Sequence, residues 1–228
     1  MSVQARQLAI LEAMGVAAYL PRGQAGAVPA PTEAAHLDAP AWDEIAAAVR
    51  DCRLCGLCET RTQTVFGVGN RSARLMVVGE APGAEEDRQG EPFVGRAGLL
   101  LNAMLRAAGF ERGEVFIANV LKCRPPNNRD PSDEESERCL PYLRRQIELV
   151  DPQAILCVGR IAAQRLLDTD TPIGKLRGRV HRLDGRPVVV TYHPAYLLRS
   201  PGEKRKSWED LKLALGVLAE GSADGDRA

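Results

Sequence analysis

Aromatic residues are scarce in this chain, 4% of 228, which disfavours a sandwich or barrel built on aromatic strands. No apolar run approaches the roughly 18 residues that a membrane-spanning helix needs. The opening residues, MSVQARQLAILEAMG, lack the charged start, apolar block and small-residue cleavage site of a secretory signal. A cytoplasmic protein with no membrane partner is therefore expected. There is no excess of charge either: 30 Lys and Arg stand against 30 Asp and Glu. Taken globally, that balance argues against a nucleic-acid binder.

What is present points elsewhere. Hydrophobic residues make up 45% of the chain, enough for one sizeable packed domain with short extensions. The charges are unevenly spread. Between Gly174 and Lys206 nine Lys or Arg face two Asp or Glu, a local net of +7, while acidic residues collect at Glu80 to Glu91 and Asp130 to Glu137. Such a basic stretch suits a phosphate-tracking face, although charge alone fits a solvated surface as well. Six cysteines in a reducing compartment point to metal ligation or catalysis before disulfides.

Residues 3–20 have helical periodicity, and a Gly/Ala/Pro-rich linker runs from Pro21 to Pro40. The main domain is expected over 41–220, followed by a disordered tail at 221–228. There is no internal repeat. Trp42 to Val49 reads as a helix. Apolar runs at Arg74–Gly79, Val115–Val120, Ala154–Val158 and Val188–Thr191 read as strands. Helices are expected at Gly95–Ala108, from an N-cap at Ser132 with Glu135 completing a capping box, at Ile161–Leu167 and at Lys206–Ala219. The alternation implies βαβ units, a parallel sheet and helices on both faces. In such sheets ligands bind beyond the carboxyl ends of the strands. Gly79-Glu-Ala-Pro-Gly83, Asn119 and His193-Pro194 all fall there.

Cys52-x-x-Cys55 brings two thiolates to one site, and Cys123 and Cys139 are placed to close it from elsewhere in the fold. Zinc or an iron–sulfur cluster would accept this set, so spacing leaves the choice open. Cys58 forms a second CxxC with Cys55, and Cys157, inside a strand, reads as a small buried hydrophobe. The segment from Gly79 to Gly95 is polar and glycine-rich, and reads as a long functional loop. Phe93 within it fits an apolar anchor and a stacking platform for a flat ring equally well. A loop histidine such as His193 is more often structural, but here proline fixes it and two leucines and an arginine follow. That sequence suits insertion into a base stack with phosphate clamping.

Taken together, GEAPG, EED, G-x-PFVG-x-AG, the cysteine spacing, KCRPP-x-N and HPAYLLR-x-P resemble the family 4 uracil-DNA glycosylases, the iron–sulfur branch of their superfamily. The resemblance spans about Cys52 to Ala219. It implies a three-layer α/β/α sandwich around a central four-stranded parallel sheet, in agreement with the strand and helix pattern. It also implies a [4Fe–4S] cluster on Cys52, Cys55, Cys123 and Cys139, with Cys58 and Cys157 outside the ligand set. It places Glu80 and Glu86 in the catalytic loop with Ala81 and Gly83, Phe93 against the uracil ring, Asn119 on its polar edge and His193 near O2. Pro194, Leu197, Leu198, Arg199 and Ser200 would meet DNA, with Leu197 or Leu198 filling the gap left by a flipped nucleotide. The implied partner is uracil-containing DNA, single- or double-stranded, and a monomer is expected. A related branch bonds covalently to uracil DNA through a histidine in a basic insert, and carries Gln at the position of Ala81. Residues 124–138 here contain no histidine, so turnover is expected. The rivals are an iron–sulfur electron carrier, which leaves the Glu, Asn and His loops unexplained, and a zinc-bearing nucleic-acid module, which leaves the carboxylates unexplained.

Overall fold

The computed structural model describes residues 39–225. The helix expected at 3–20, most of the linker and the last three residues lie outside them. The first described helix, α1 (Ala39–Arg50), is followed by a short α2 (Leu57–Thr60). Then come β1 (Val68–Gly69), β2 (Leu75–Gly79), α3 (Ala84–Gln89), α4 (Arg96–Ala107), β3 (Phe116–Asn119), α5 (Asp133–Val150) and β4 (Ala154–Val158). The chain continues through α6 (Arg160–Leu167), α7 (Ile173–Leu176), β5 (Val180–Leu183), β6 (Arg186–Thr191), α8 (Pro194–Arg199) and α9 (Lys204–Gly225). Helix α9 runs past the expected end at Ala219 into the segment assigned to a tail.

The sheet has six strands in the order β1-β3-β2-β4-β6-β5. The expected four strands form its parallel middle, β3-β2-β4-β6, and the expectation of four is corrected by an antiparallel strand at each edge. Strand β5 returns on β6 through Asp184-Gly185, both with positive φ (48° and 82°), the conformation of a tight hairpin turn that Asp-Gly favours. β1 is only two residues long, too short to leave a period-2 signal.

β2 and β4 are buried at every position, as expected of strands covered on both faces. Their alternate side chains feed two cores. Met76, Val78, Ile155, Val188 and Val190 pack with α1, α5, α6 and α7. Leu75, Val77, Leu156, Val158 and Val189 pack with α4, α8 and α9. Helices thus cover both faces of the sheet. Local chemistry sets the helix boundaries. Ser132 Oγ accepts from Glu135 N–H at 3.2 Å while Glu135 Oε2 accepts from Ser132 N–H at 2.9 Å, the reciprocal cap that opens α5.

One expectation fails locally. The stretch from Gly79 to Gly95 is not all loop, because α3 forms within it. Glu85, Glu86 and Asp87 fill the helix's first turn, where acidic side chains are favourable. Asp87 is buried, its carboxylate accepting from Thr62 N–H. An acidic, polar sequence hides a helix whose cohesion comes from its caps and from one buried anchor.

Candidate active site

Three parallel strands end on the same side of the sheet, and their outgoing residues meet in one cleft of about 430 Å³. β2 delivers Glu80, β3 delivers Asn119 and β6 delivers His193. Ala81, Gly83, Glu86, Phe93 and Arg199 line the cleft with them. Pro82, Ala97, Pro125, Asn128, Arg129 and Ala195 also line it, and sequence reasoning missed these. Three of them sit in Pro125-Pro-Asn-Asn-Arg129, on the connection from β3 to α5.

Sheet register fixes the centre. Gly79 pairs with Asn119 across β2 and β3. A Cβ on Gly79 would collide with Asn119 Oδ1 and would stand 2.6 Å from Phe93 Cζ. The glycine is required here by space, because it lets both side chains close over the strand end. Asn119 is 2% exposed, and its Oδ1 has no hydrogen-bond partner among the described residues. A buried unpaired acceptor costs about 1–3 kcal/mol, a cost that a bound donor would remove.

Phe93 is buried, belongs to the core beneath α4, and has φ 54°, a strained backbone for an aromatic residue. Its ring lies 5.6 Å from the His193 ring at 30°. It is at once a core anchor and a wall of the cleft. His193 Nδ1 accepts from Ala195 N–H at 3.1 Å, capping α8, so the neutral ring carries its proton on Nε2. Burial pulls its pKa down to about 4, with Arg199 adding to the fall and Glu86 opposing it. Near neutral pH the ring is an uncharged donor.

The two glutamates differ sharply. Glu86 Oε1 accepts from Val94 and Gly95 N–H, both at 3.0 Å, and its Oε2 accepts from Gly83 N–H at 3.1 Å. It staples the two arms of the loop together. Glu80 is pushed up to about 7, first by burial and then by Asp130, with Arg160 opposing. Its backbone carbonyl is held by Leu121 N–H at 3.0 Å, tying the loop to the strand beside it.

On α8 the DNA-facing candidates separate. Leu197 is 1% exposed and packs in the core, and Pro194 is buried as well, whereas Leu198 is 37% exposed. Arg199 is exposed and Ser200, the C-cap, is half-buried. The basic stretch is partly spent on internal pairing. Arg177 bonds Asp210, Arg186 bonds Asp151 and Lys206 bonds Glu203.

Cys52, Cys55, Cys123 and Cys139 line a second, small pocket, and Cys58 joins them. Cys123 Sγ accepts from Arg61 Nη1 at 3.0 Å and Cys139 Sγ from Lys122 N–H at 3.2 Å. Among the described residues no three His, Cys, Asp or Glu side chains converge closely enough to hold a single metal ion. Cys157 stands apart in β4, its thiol pushed up to about 12 by burial. Lys122, which sequence reasoning missed, is 1% exposed and spans the two sites. Its Nζ donates to Asn119 O at 2.8 Å and to Gln146 Oε1 at 2.6 Å. Ala81, from the glutamate loop, packs against the cysteines from the other side.

The model of the uracil DNA glycosylase superfamily matches residues 66–212. A type-4 uracil-DNA glycosylase of Archaeoglobus fulgidus is 47% identical over 178 residues, covering 75% of this chain and 89% of that protein. One of Thermotoga maritima is 44% identical over 174 residues, 75% of this chain and 91% of its own. A type-5 uracil-DNA glycosylase of Pyrobaculum aerophilum is 35% identical over 147 residues, 57% of this chain and 64% of its own. A cleft built from three strand ends, inside a match of this extent, makes the chain a member of the uracil-DNA glycosylase superfamily and of its type-4 family.

Proposed function

We propose that this cleft removes uracil from DNA by hydrolysing the N-glycosidic bond of a flipped-out deoxyuridine, leaving an abasic site for base excision repair. The observation that carries this reading is the Oδ1 of Asn119, buried without a partner among the described residues in the cleft that the Phe93 and His193 rings also line. It is an acceptor for uracil N3–H, with the amide nitrogen donating to O4. Cytosine reverses that pattern and would leave about 1–3 kcal/mol of polar mismatch per group. The target must leave the stack to reach the cleft, and Leu198, the exposed leucine of α8, is the residue suited to fill the gap. Arg199 beside the cleft suits a phosphate.

As the C1′–N1 bond breaks, positive charge develops on the sugar and negative charge on uracil O2. His193 Nε2–H donates to that oxygen, and its neutrality avoids a standing charge in the pocket. The Glu80 carboxylate, near the cationic sugar, orients water for attack on C1′ and accepts its proton. Glu86 is fully engaged by backbone donors, which supports a loop-organising role for it.

Cys52, Cys55, Cys123 and Cys139 are the residues that would hold a [4Fe–4S] cluster, and thiols from separate segments around one pocket, two of them receiving N–H donors, fit such a group. When bound, the cluster would cross-link the segment after α1, the loop after β3 and helix α5, which carries Cys139. No step of the reaction passes through it. Acid-labile sulfide with iron, and brown colour, would support the assignment, whereas stoichiometric zinc would overturn it.

The test of function is excision. A labelled oligonucleotide with one uracil is incubated with the protein beside a thymine control, then treated with alkali. Strand breakage at uracil alone is the expected result. No breakage by protein with its cluster intact would sink the reading.

A further inference from the structure

Phe93 holds a left-handed backbone that an aromatic residue adopts only when its surroundings impose it. Two features do so. The first is that the loop lies directly on α4 at Gly98, where a Cβ would collide with the Phe93 carbonyl. The second is Arg112, in the turn before β3, which reaches the same carbonyl and α4 itself. Its Nη2 donates to Pro92 O at 2.6 Å, and its Nη1 donates to Asn102 Oδ1 at 3.2 Å and, more weakly, to Phe93 O at 3.5 Å. The guanidinium is half-buried and its pKa is lowered by that burial, with Glu91 and Glu86 opposing. An arginine held this way by carbonyls and an amide is oriented by geometry more than by an ion pair.

We propose that Arg112 is a positioning residue for base recognition: its fork grips Pro92 and Phe93 against α4 and so holds the Phe93 ring at the angle uracil needs. The proposal rests on Phe93 stacking the base. Gly98 supplies the close seat and Arg112 the clamp. Together they keep a strained backbone in one conformation before any substrate arrives, so that binding does not have to order it.

The test is a double-mutant cycle read by binding, not turnover. Arg112→Lys keeps the charge but loses the two-pronged donor. Affinity is measured for an oligonucleotide carrying 2′-fluoro-2′-deoxyuridine, which resists cleavage, and for the same oligonucleotide with a tetrahydrofuran abasic analogue. Base stacking contributes strongly to binding, so R112K is expected to weaken the uracil ligand about tenfold. Binding of the abasic ligand, which has no ring to stack, is expected to be unchanged. In a Phe93→Ala background R112K is expected to cost nothing further. Equal loss on both ligands, the same loss without Phe93, or no loss while F93A is itself weakened would each overturn the proposal alone. F93A binding the uracil ligand as tightly as the unmutated protein would overturn the stacking reading and this proposal with it.

Discussion

The base cleft and the cysteine pocket lie side by side yet treat their polar atoms in opposite ways. In the cleft the atom proposed for recognition is left open: Asn119 Oδ1 is buried without a partner among the described residues. In the cysteine pocket two sulfurs already receive donors, from Arg61 and from the Lys122 backbone. A site for a ligand that comes and goes keeps its hydrogen-bonding capacity in reserve, and the protein tolerates the cost. The cysteine pocket, proposed to hold a permanent group, has two of its sulfurs satisfied as part of the fold. The two are coupled through Lys122, whose ammonium supports the Asn119 carbonyl while its backbone supports Cys139.

The contrast is broken most severely at the cysteines. Cys123→Ser should abolish the visible absorbance and the cooperative thermal transition, whereas Cys58→Ser should keep both; absorbance and a melt decide. Next in size, Glu80→Gln should cut kcat by about 10²–10⁴-fold while leaving affinity for uncleavable uracil DNA intact. Glu86→Gln should instead lower both kcat and loop stability, because its amide would face backbone donors. Single-turnover kinetics beside binding separate the two. Asn119→Asp should shrink the preference for uracil over cytosine by about ten- to a hundredfold, read from competing excision rates.

A smaller effect separates the leucines. Leu197→Ala should cost about 2–5 kcal/mol of stability as a core cavity. Leu198→Ala should leave stability alone and slow excision from duplex more than from single strands. Least of all, Glu80 should show in stability against pH. Its folded pKa, about 7, lies above the ordinary 4.5, so its ionisation opposes folding, fully above pH 7 and not at all below the ordinary value. Glu80→Gln should therefore raise the melting temperature by a few degrees at pH 8, and the gain should vanish at pH 4.

The parallel strands were legible because strands buried on both faces announce themselves as apolar runs. Their ends were legible because Gly79, Asn119 and His193 interrupt those runs with residues a core would not choose. The edges were not. β1 is too short to have a period, and β5, exposed at alternate positions, is marked mainly by Asp184-Gly185, a turn signal that was there to be used. Helix α3 was hidden because capping and the buried Asp87 hold it, not an apolar stripe. Which residue types meet in the cleft was legible, but not how the fold treats each of them. Nothing in the spelling of Glu80 and Glu86 says that one is stapled by three amides and the other is held near its titration point by burial. Arg112 and Lys122 escaped because their importance lies in which carbonyls they reach.

The bond from Ala195 N–H to His193 Nδ1 has a consequence for acid. The same nitrogen that starts helix α8 is the one that must take the second proton when the ring titrates near pH 4. Once it does, two N–H groups point at each other. Acid inactivation would then begin as an uncapping: the first turn of α8 lets go, and Leu198 and Arg199 lose the bearing on DNA proposed for them before the sheet beneath them has changed.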